Sequence, residues 1–428
     1  MSEAGARAAA EAKALGEYLS WKGDPVATLQ EALQSDPDFV LAQTTISALN
    51  SLGGVRGDAE AVRAPLQAAQ KVTRPLSPRE KLHLSGAAAW ADGDITGAAG
   101  AWEQALGADP FDLLALRLAH DTHFFLGALE KLRDIPLSVL PAYENDAAKR
   151  GFVLGMAAFG LEETGNYAQA EQAGREAVAI NPADAWAVHA VAHVLEMQCR
   201  PKEGIAWLQG LEEHWAPAAL LAVHNRWHAA LFLIELGQLD EALALYDAHI
   251  RATPSEMTLD LVDAAALLWR LELLGVDVGA RWQALAPAWK LYAEDHVLAF
   301  NDLHIALTLE GAGDAAAADA LEASIAHYAA TNTGINAALS TELGLPAIRA
   351  IRAFRRGDYS QTVALLEPIY QHLAPIGGSN AQRDLIIQTL GIAAFKAGDL
   401  PTAKAVAEAR RKLKTGIPRA WASFPAIT

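Results

Sequence analysis

The chain has 428 residues, 52% of them hydrophobic, and carries 34 Lys and Arg against 51 Asp and Glu, a formal net charge of -17. That excess of carboxylates repels phosphate backbones and anionic lipid surfaces, so neither nucleic acid nor membrane is expected as a partner. The single cysteine, Cys199, cannot form an internal disulfide, and Met1-Ser2-Glu3-Ala4 has neither the basic nor the apolar part of a secretory signal, so a cytoplasmic setting is expected.

Helix-breaking glycines punctuate the chain in phase. Gly23, Gly93, Gly165, Gly237, Gly313 and Gly398 each precede a residue that opens a new apolar helix, and the steps from Gly93 to Gly165 and from Gly165 to Gly237 are each 72 residues. Weaker turns near the midpoints, at Gly127, Cys199-Arg200-Pro201 and Gly275, halve the interval to about 36 residues. That is the length of a two-helix repeat, which buries its apolar faces only by stacking. Ser77-Pro78-Arg79-Glu80 and Ser379-Asn380-Ala381-Gln382 have the form of capping boxes, predicting helices from near 78 and 380. Phe152 to Glu163 and Ala168 to Ile180 predict a hairpin turned by Gly165-Asn166-Tyr167, and Trp227 to Leu236 with Asp240 to Arg251 predict another. Pro110, Pro182 and Pro254 keep the 72-residue phase and mark the seams, since the residue before a proline avoids the helical region.

No run of alternating β-branched residues predicts a strand. The most apolar stretch, Ala216 to Leu236, is interrupted by His224, Asn225, Arg226 and His228 and makes a poor membrane span. The expected fold is all-α: a right-handed α-solenoid of about nine tetratricopeptide-like helical hairpins with a central concave channel. One continuous domain is expected over residues 1–428, with N-terminal capping helices to about residue 50 and a C-terminal tail from about residue 415.

Gly165-Asn166-Tyr167-Ala168, with Ala170, Ala177 and Pro182, resembles the tetratricopeptide consensus. Longer stretches resemble the tetratricopeptide repeat protein 38 family: Leu19 to Pro25, Asp184 to Gln198, His224-Asn225-Arg226-Trp227-His228, Leu261 to Ala264, Phe300 to His304 and Gly377 to Asp384. The resemblance runs from about residue 19 to 385, with Arg226 departing from an expected aromatic residue. It implies the fold, with first helices lining a concave side, and says little about chemistry.

The informative chemistry lies in the histidines. His120, His123, His189, His193, His224, His228 and His304 all fall on the first helix of a predicted pair. His189 and His193 are four apart, one helical turn, with Glu196 three further on the same face, and His224 and His228 repeat the spacing one unit later. Neutral imidazoles so spaced can bind zinc or another divalent metal, which makes His189, His193, His224 and His228 candidate ligands, although no cofactor is required by the pattern. The same four, with Asp302 and His304, are candidate acid-base groups, because a carboxylate near a histidine fixes its tautomer and raises its basicity. The bland alternative is a polar seam of histidines hydrogen-bonded between helices.

His120, His123, Glu196, Asp263, Arg270 and Arg383 are candidate ligand-binding residues of the same channel. Asp263 and Arg270 read equally as an ion pair between stacked helices. Gly377-Gly378-Ser379-Asn380 with Arg383 suits an anion at a helix N-terminus, but the capping box explains the segment as well. The cluster Arg410, Arg411, Lys412 and Lys414 reads as a solvated helix end suited to the dipole. Most of the eleven tryptophans fall in apolar helical patterns and read as packing. No H-E-x-x-H, Walker A, Rossmann or serine-elbow pattern is present. Two functions are therefore expected: a binding or scaffold protein holding a peptide or small-molecule ligand in the channel, or an enzyme using the histidines, with or without a divalent metal.

Overall fold

A computed structural model describes residues 3–416. Among the described residues there are helices and no strands, so the observed fold is all-α and built of helical hairpins. The tail expected from about residue 415 lies outside the described residues from 417 on.

The hairpin turns follow from one repeated local grammar. Gly93, Gly165, Gly237, Gly313 and Gly398 all have φ between 72° and 82°, the left-handed region open to glycine without a Cβ penalty. At Gly165 the amide donates to Glu162 O at 2.8 Å and the next amide, Asn166, to Leu161 O at 2.8 Å, so the last carbonyls of the helix are satisfied as the chain reverses. Where aspartate follows the glycine, its carboxylate caps the next helix: Asp94 accepts from Gly97 N at 2.8 Å and Asp358 from Gln361 N at 3.0 Å. Two further hairpins turn at Gly54 and Gly357, outside the regular spacing. At the midpoint turn after Met197 no glycine is available, and Cys199 itself takes φ 54°.

Both expected capping boxes form, opening the helices Pro78–Ala91 and Asn380–Lys396. The hairpin about Gly165 pairs Ala147–Glu163 with Tyr167–Ile180. The one about Gly237 pairs Ala219–Leu236 with Leu239–Leu245, and a π-helical turn, Tyr246–Ile250, closes the stretch expected to be plain helix.

The chain divides into two compact units, residues 1–190 with 213–221, and residues 191–212 with 222–428. In the first, Ala14, Leu29, Phe39, Ala42 and Ile46 make one apolar cluster, and small residues let helices approach closely: a Cβ on Gly160 would stand 2.3 Å from Leu132 O. In the second, one cluster runs through Trp227, Trp269, Trp282 and Trp289, so these tryptophans are packing residues, as expected. Trp269 keeps a polar bond inside the core, donating from Nε1 to Thr389 Oγ1 at 2.9 Å.

Candidate functional site

Three helices carry half of the candidate residues and are buried nearly all round: Ala185–Met197, Thr258–Leu273 and Asn380–Lys396. A helix without a solvent face must place its polar side chains inside, where each needs a partner. None of the residues expected to line the channel is more than 5% exposed.

In the second unit, His193, His224 and His228 converge. Ring centroids of His193 and His228 are 4.5 Å apart and those of His224 and His228 are 4.9 Å apart. Each offers a ring nitrogen within 4.8 Å of the others'. His224 and His228 are one turn apart on Ala219–Leu236, while His193 comes from Ala185–Met197. His224 lies flat on Trp227, centroids 5.2 Å apart and planes 11° from parallel, and its Nδ1 sits 2.9 Å from each carboxylate oxygen of Asp263. That bond puts the proton on Nδ1 and leaves Nε2 as the donor lone pair. Burial pushes the Asp263 carboxyl up, and His224 pulls it the other way. His189, one turn before His193 on the same helix, belongs to the first unit, where its ring lies 5.0 Å from Trp186 and 5.6 Å from Phe159.

The expected Asp263–Arg270 ion pair does not form. Asp263 is taken by His224, and Arg270 donates to backbone carbonyls, Ala266 O at 3.1 Å and Ala381 O at 2.7 Å, with its guanidinium over the Trp227 ring. Burial pulls Arg270 down to about 10. Asp302 likewise pairs with a histidine that the sequence reading missed, His296, whose Nδ1 lies 3.2 Å from Oδ1. His304 instead donates from Nδ1 to Phe300 O at 2.8 Å, and burial lowers its pKa to about 4, so it is neutral at physiological pH. Arg383 bonds the Gly378 carbonyl and, at 2.8 Å, Asn380 Oδ1, both within the capping segment. In the first unit, His120 packs edge-on against Phe159 and Trp186, and His123 bonds Glu103 at 2.8 Å.

The basic cluster keeps its expected solvated side at Arg411 and Lys412, which are exposed, but not at Arg410 and Lys414. Arg410 and Lys414 are each 2% exposed. Arg410 grips Asp384 through two bonds of 2.6 and 2.8 Å, and Lys414 bonds Glu196 and lies 3.6 Å from Glu235. The reason is helical phase: Ala403, Val406, Ala407, Arg410 and Lys414 form one three-four stripe, so the two cations continue the apolar face inward. Glu196, Glu235, Arg270 and Gln388 with Leu231, Ile234 and Leu274 line a cavity of about 10 Å³, room for one water. The first unit has its own buried cation, Arg117, 4.4 Å over the Trp186 ring and paired with Asp121 at 3.0 Å. Among the described residues, no helix is long and apolar enough to cross a membrane.

No family model matches the chain. Two solved structures are similar at low level. The crystal structure of yeast Tom70 aligns over 98% of this chain and 94% of that one, with 13% identity and a TM-score of 0.36. The structure of Naa15/Naa10 bound to HypK-THB aligns over 97% of this chain, which spans 64% of the Naa15-complex chain, with 14% identity and a TM-score of 0.26. Likeness at that level carries no function across, and the chemistry rests on the chain's own residues.

Proposed function

We propose that the protein is a helical-repeat binding or scaffold protein built around a buried divalent-metal centre, with His193, His224 and His228 as ligands. The observation that carries this reading is the convergence of three imidazoles, one of them oriented by a carboxylate. Metal-bound histidines characteristically donate their other ring N–H to such a group, which fixes the tautomer and aims the free nitrogen. An all-nitrogen set of three imidazoles suits zinc, with copper, nickel and cobalt as competitors for the same geometry. Burial favours a closed, structural site over one with an open coordination position for a substrate. Asp302 and His304 do not act as an acid-base pair in this reading, since each has a different partner. A peptide or small-molecule ligand would then use surfaces other than these enclosed side chains.

The test is elemental analysis of untagged protein purified without chelators, followed by Co²⁺ substitution of the stripped protein. A single equivalent of metal is expected, with a Co²⁺ spectrum typical of a nitrogen-rich tetrahedral site, and both should disappear in His193→Ala and His228→Ala. Saturating zinc should also raise the melting temperature, by an amount that corresponds to about 2.7 kcal/mol at a hundred times Kd. Protein that is metal-free as isolated, and neither takes up nor is stabilised by Zn²⁺ or Co²⁺, would leave the histidines as a hydrogen-bonded seam.

A further inference from the structure

Away from the imidazole cluster, a serine, a histidine and an aspartate of the second unit stand in line. Asp302, 1% exposed, lies in the first turn of the helix Ala299–Ala312. His296 sits in the connector before that helix, its backbone in the left-handed region at φ 45°. Ser324 is half-buried on the helix Ala315–Thr331. Nδ1 of His296 is 3.2 and 3.3 Å from the two oxygens of Asp302, and Nε2 is 2.8 Å from Ser324 Oγ.

The histidine is held from several sides. Asn336 donates from Nδ2 to the His296 carbonyl at 2.7 Å and accepts from Ala299 N at 2.9 Å, tying the connector to the helix start. Tyr328 packs on the imidazole, centroids 5.3 Å apart. A non-glycine residue held in left-handed backbone is costly and persists only where its surroundings over-determine it, a condition often met at reactive sites. The Asp302 carboxylate favours the tautomer with the proton on Nδ1, which turns the Nε2 lone pair toward the serine hydroxyl.

We propose that Asp302, His296 and Ser324 form a nucleophilic triad that takes an acyl or phosphoryl group from small, uncharged or cationic esters onto Ser324. The roles follow those of any Ser-His-Asp arrangement, which is recognised by geometry and not by chain order. Ser324 Oγ attacks the carbonyl carbon while its proton passes to His296 Nε2. The tetrahedral intermediate collapses, the ester C–O bond breaks, and the leaving alkoxide takes the proton back from Nε2. The products are acyl-Ser324 and the free alcohol, with no oxidant or co-reactant needed. Water delivered through the same base can then release the acid.

Two features of the site shape this activity. Glu294 Oε2 lies 3.0 Å from Ser324 Oγ and competes with Nε2 for the single hydroxyl proton, while its charge turns away anionic donors. Ser324 also lies inside a helix whose amides bond within the helix, so its own segment supplies no oxyanion donors. Acylation and deacylation are therefore both slow, since each passes through a tetrahedral oxyanion.

The experiment is incubation of the full chain with diisopropyl fluorophosphate and, separately, with p-nitrophenyl acetate, followed by intact mass and peptide mapping. With diisopropyl fluorophosphate the Ser–O–P bond forms as P–F breaks, the hydroxyl proton passing to His296 and the fluoride leaving to solvent. A single adduct at Ser324 is expected. It should be absent in Ser324→Ala, formed at least tenfold more slowly in Asp302→Asn and His296→Gln, and formed faster in Glu294→Gln, which frees the hydroxyl proton for the imidazole. Helicity of each variant is checked by circular dichroism. A serine that only ties the connector to its neighbour helix gives no adduct in wild type or Glu294→Gln. That result overturns the proposal, as does equal labelling in a folded Asp302→Asn.

Discussion

Replacing Lys414 with methionine isolates the energetics of the buried polar interior of the second unit. The Lys414 and Glu196 side chains are 3% and 4% exposed, so water screens their attraction very little. Methionine keeps most of the apolar stem, and the loss is therefore mainly that of the charge. Removing one partner of a buried pair strands the other, at about 3–5 kcal/mol, a large share of a typical net stability of about 5–15 kcal/mol. Burial pulls the Lys414 ammonium down, but Glu196 and Glu235 outweigh it and hold it above the ordinary lysine range. A group raised in this way contributes its stability in full below the unfolded lysine value, about 10.4, and loses it only as pH rises through the folded value. Across pH 5 to 9 the wild type should thus show no loss from this group. The mutant differs: burial already pushes the Glu235 carboxyl up and Lys414 pulls it down, so without the lysine its charged form is penalised further and the deficit should be greatest near pH 8 and shrink toward pH 5. Urea unfolding followed by tryptophan fluorescence measures the midpoint, and hydrogen exchange over residues 193–199 and 231–236 places the loss. A deficit below about 1 kcal/mol, as exposed pairs give, with no pH dependence, would mean that Lys414 and Glu196 are screened like a surface pair.

Asp184 in the first unit gives a second pH signature. Burial pushes its carboxyl up to about 7, against a smaller pull from the Ala187 amide that it caps at 3.0 Å and from Arg117. A raised acid stabilises the fold at low pH and loses that contribution between about pH 4 and pH 7. Asp184→Asn, which can keep the cap, should therefore gain about 1–3 kcal/mol over wild type at pH 8 and little at pH 5 by thermal melting; an equal or negative change at pH 8 would count against the burial argument. Cys199→Gly should relieve the φ 54° backbone at its turn and stabilise by about 1 kcal/mol in urea titrations; a loss instead would show that the thiol's packing against Gly416 matters more. Asp263→Asn should weaken Zn²⁺ affinity about 10- to 100-fold by competition titration while the helical signal stays unchanged; an unchanged affinity would remove Asp263 from the centre.

Much of the fold was legible because the turns carry local chemistry. A glycine in left-handed backbone repeats at Gly93, Gly165, Gly237, Gly313 and Gly398, followed by a capping aspartate at Asp94, Asp314 and Asp399, and the capping boxes at Ser77 and Ser379 depend on nothing beyond four consecutive residues. Gly54 and Gly357 escaped because they break the even spacing. At the site, the four-residue spacing identified His193, His224 and His228 as residues to watch, but pairing between distant segments leaves no such trace. His224 with Asp263 is a contact across 39 residues, and Lys414 with Glu196 one across 218. His296 sits in a connector, where helical phase says nothing about direction. Arg410 and Lys414 were the recoverable miss, since the stripe from Ala403 already pointed them inward.

The polar residues of this protein are informative because of where the helices leave them. On an amphipathic surface helix, a histidine or aspartate can satisfy itself with water and its presence decides nothing. On Ala185–Met197 and Thr258–Leu273, buried on nearly every side, an imidazole or carboxylate gives up its hydration and must recover the loss, on the order of 1–3 kcal/mol for each stranded group, from a specific neighbour. Glu196 recovers it from Lys414, Asp263 from His224, and Asp302 from His296. For His224 that neighbour also fixes the tautomer, since the Asp263 bond takes the Nδ1 proton and leaves Nε2 to accept, which is the arrangement the proposed metal centre requires.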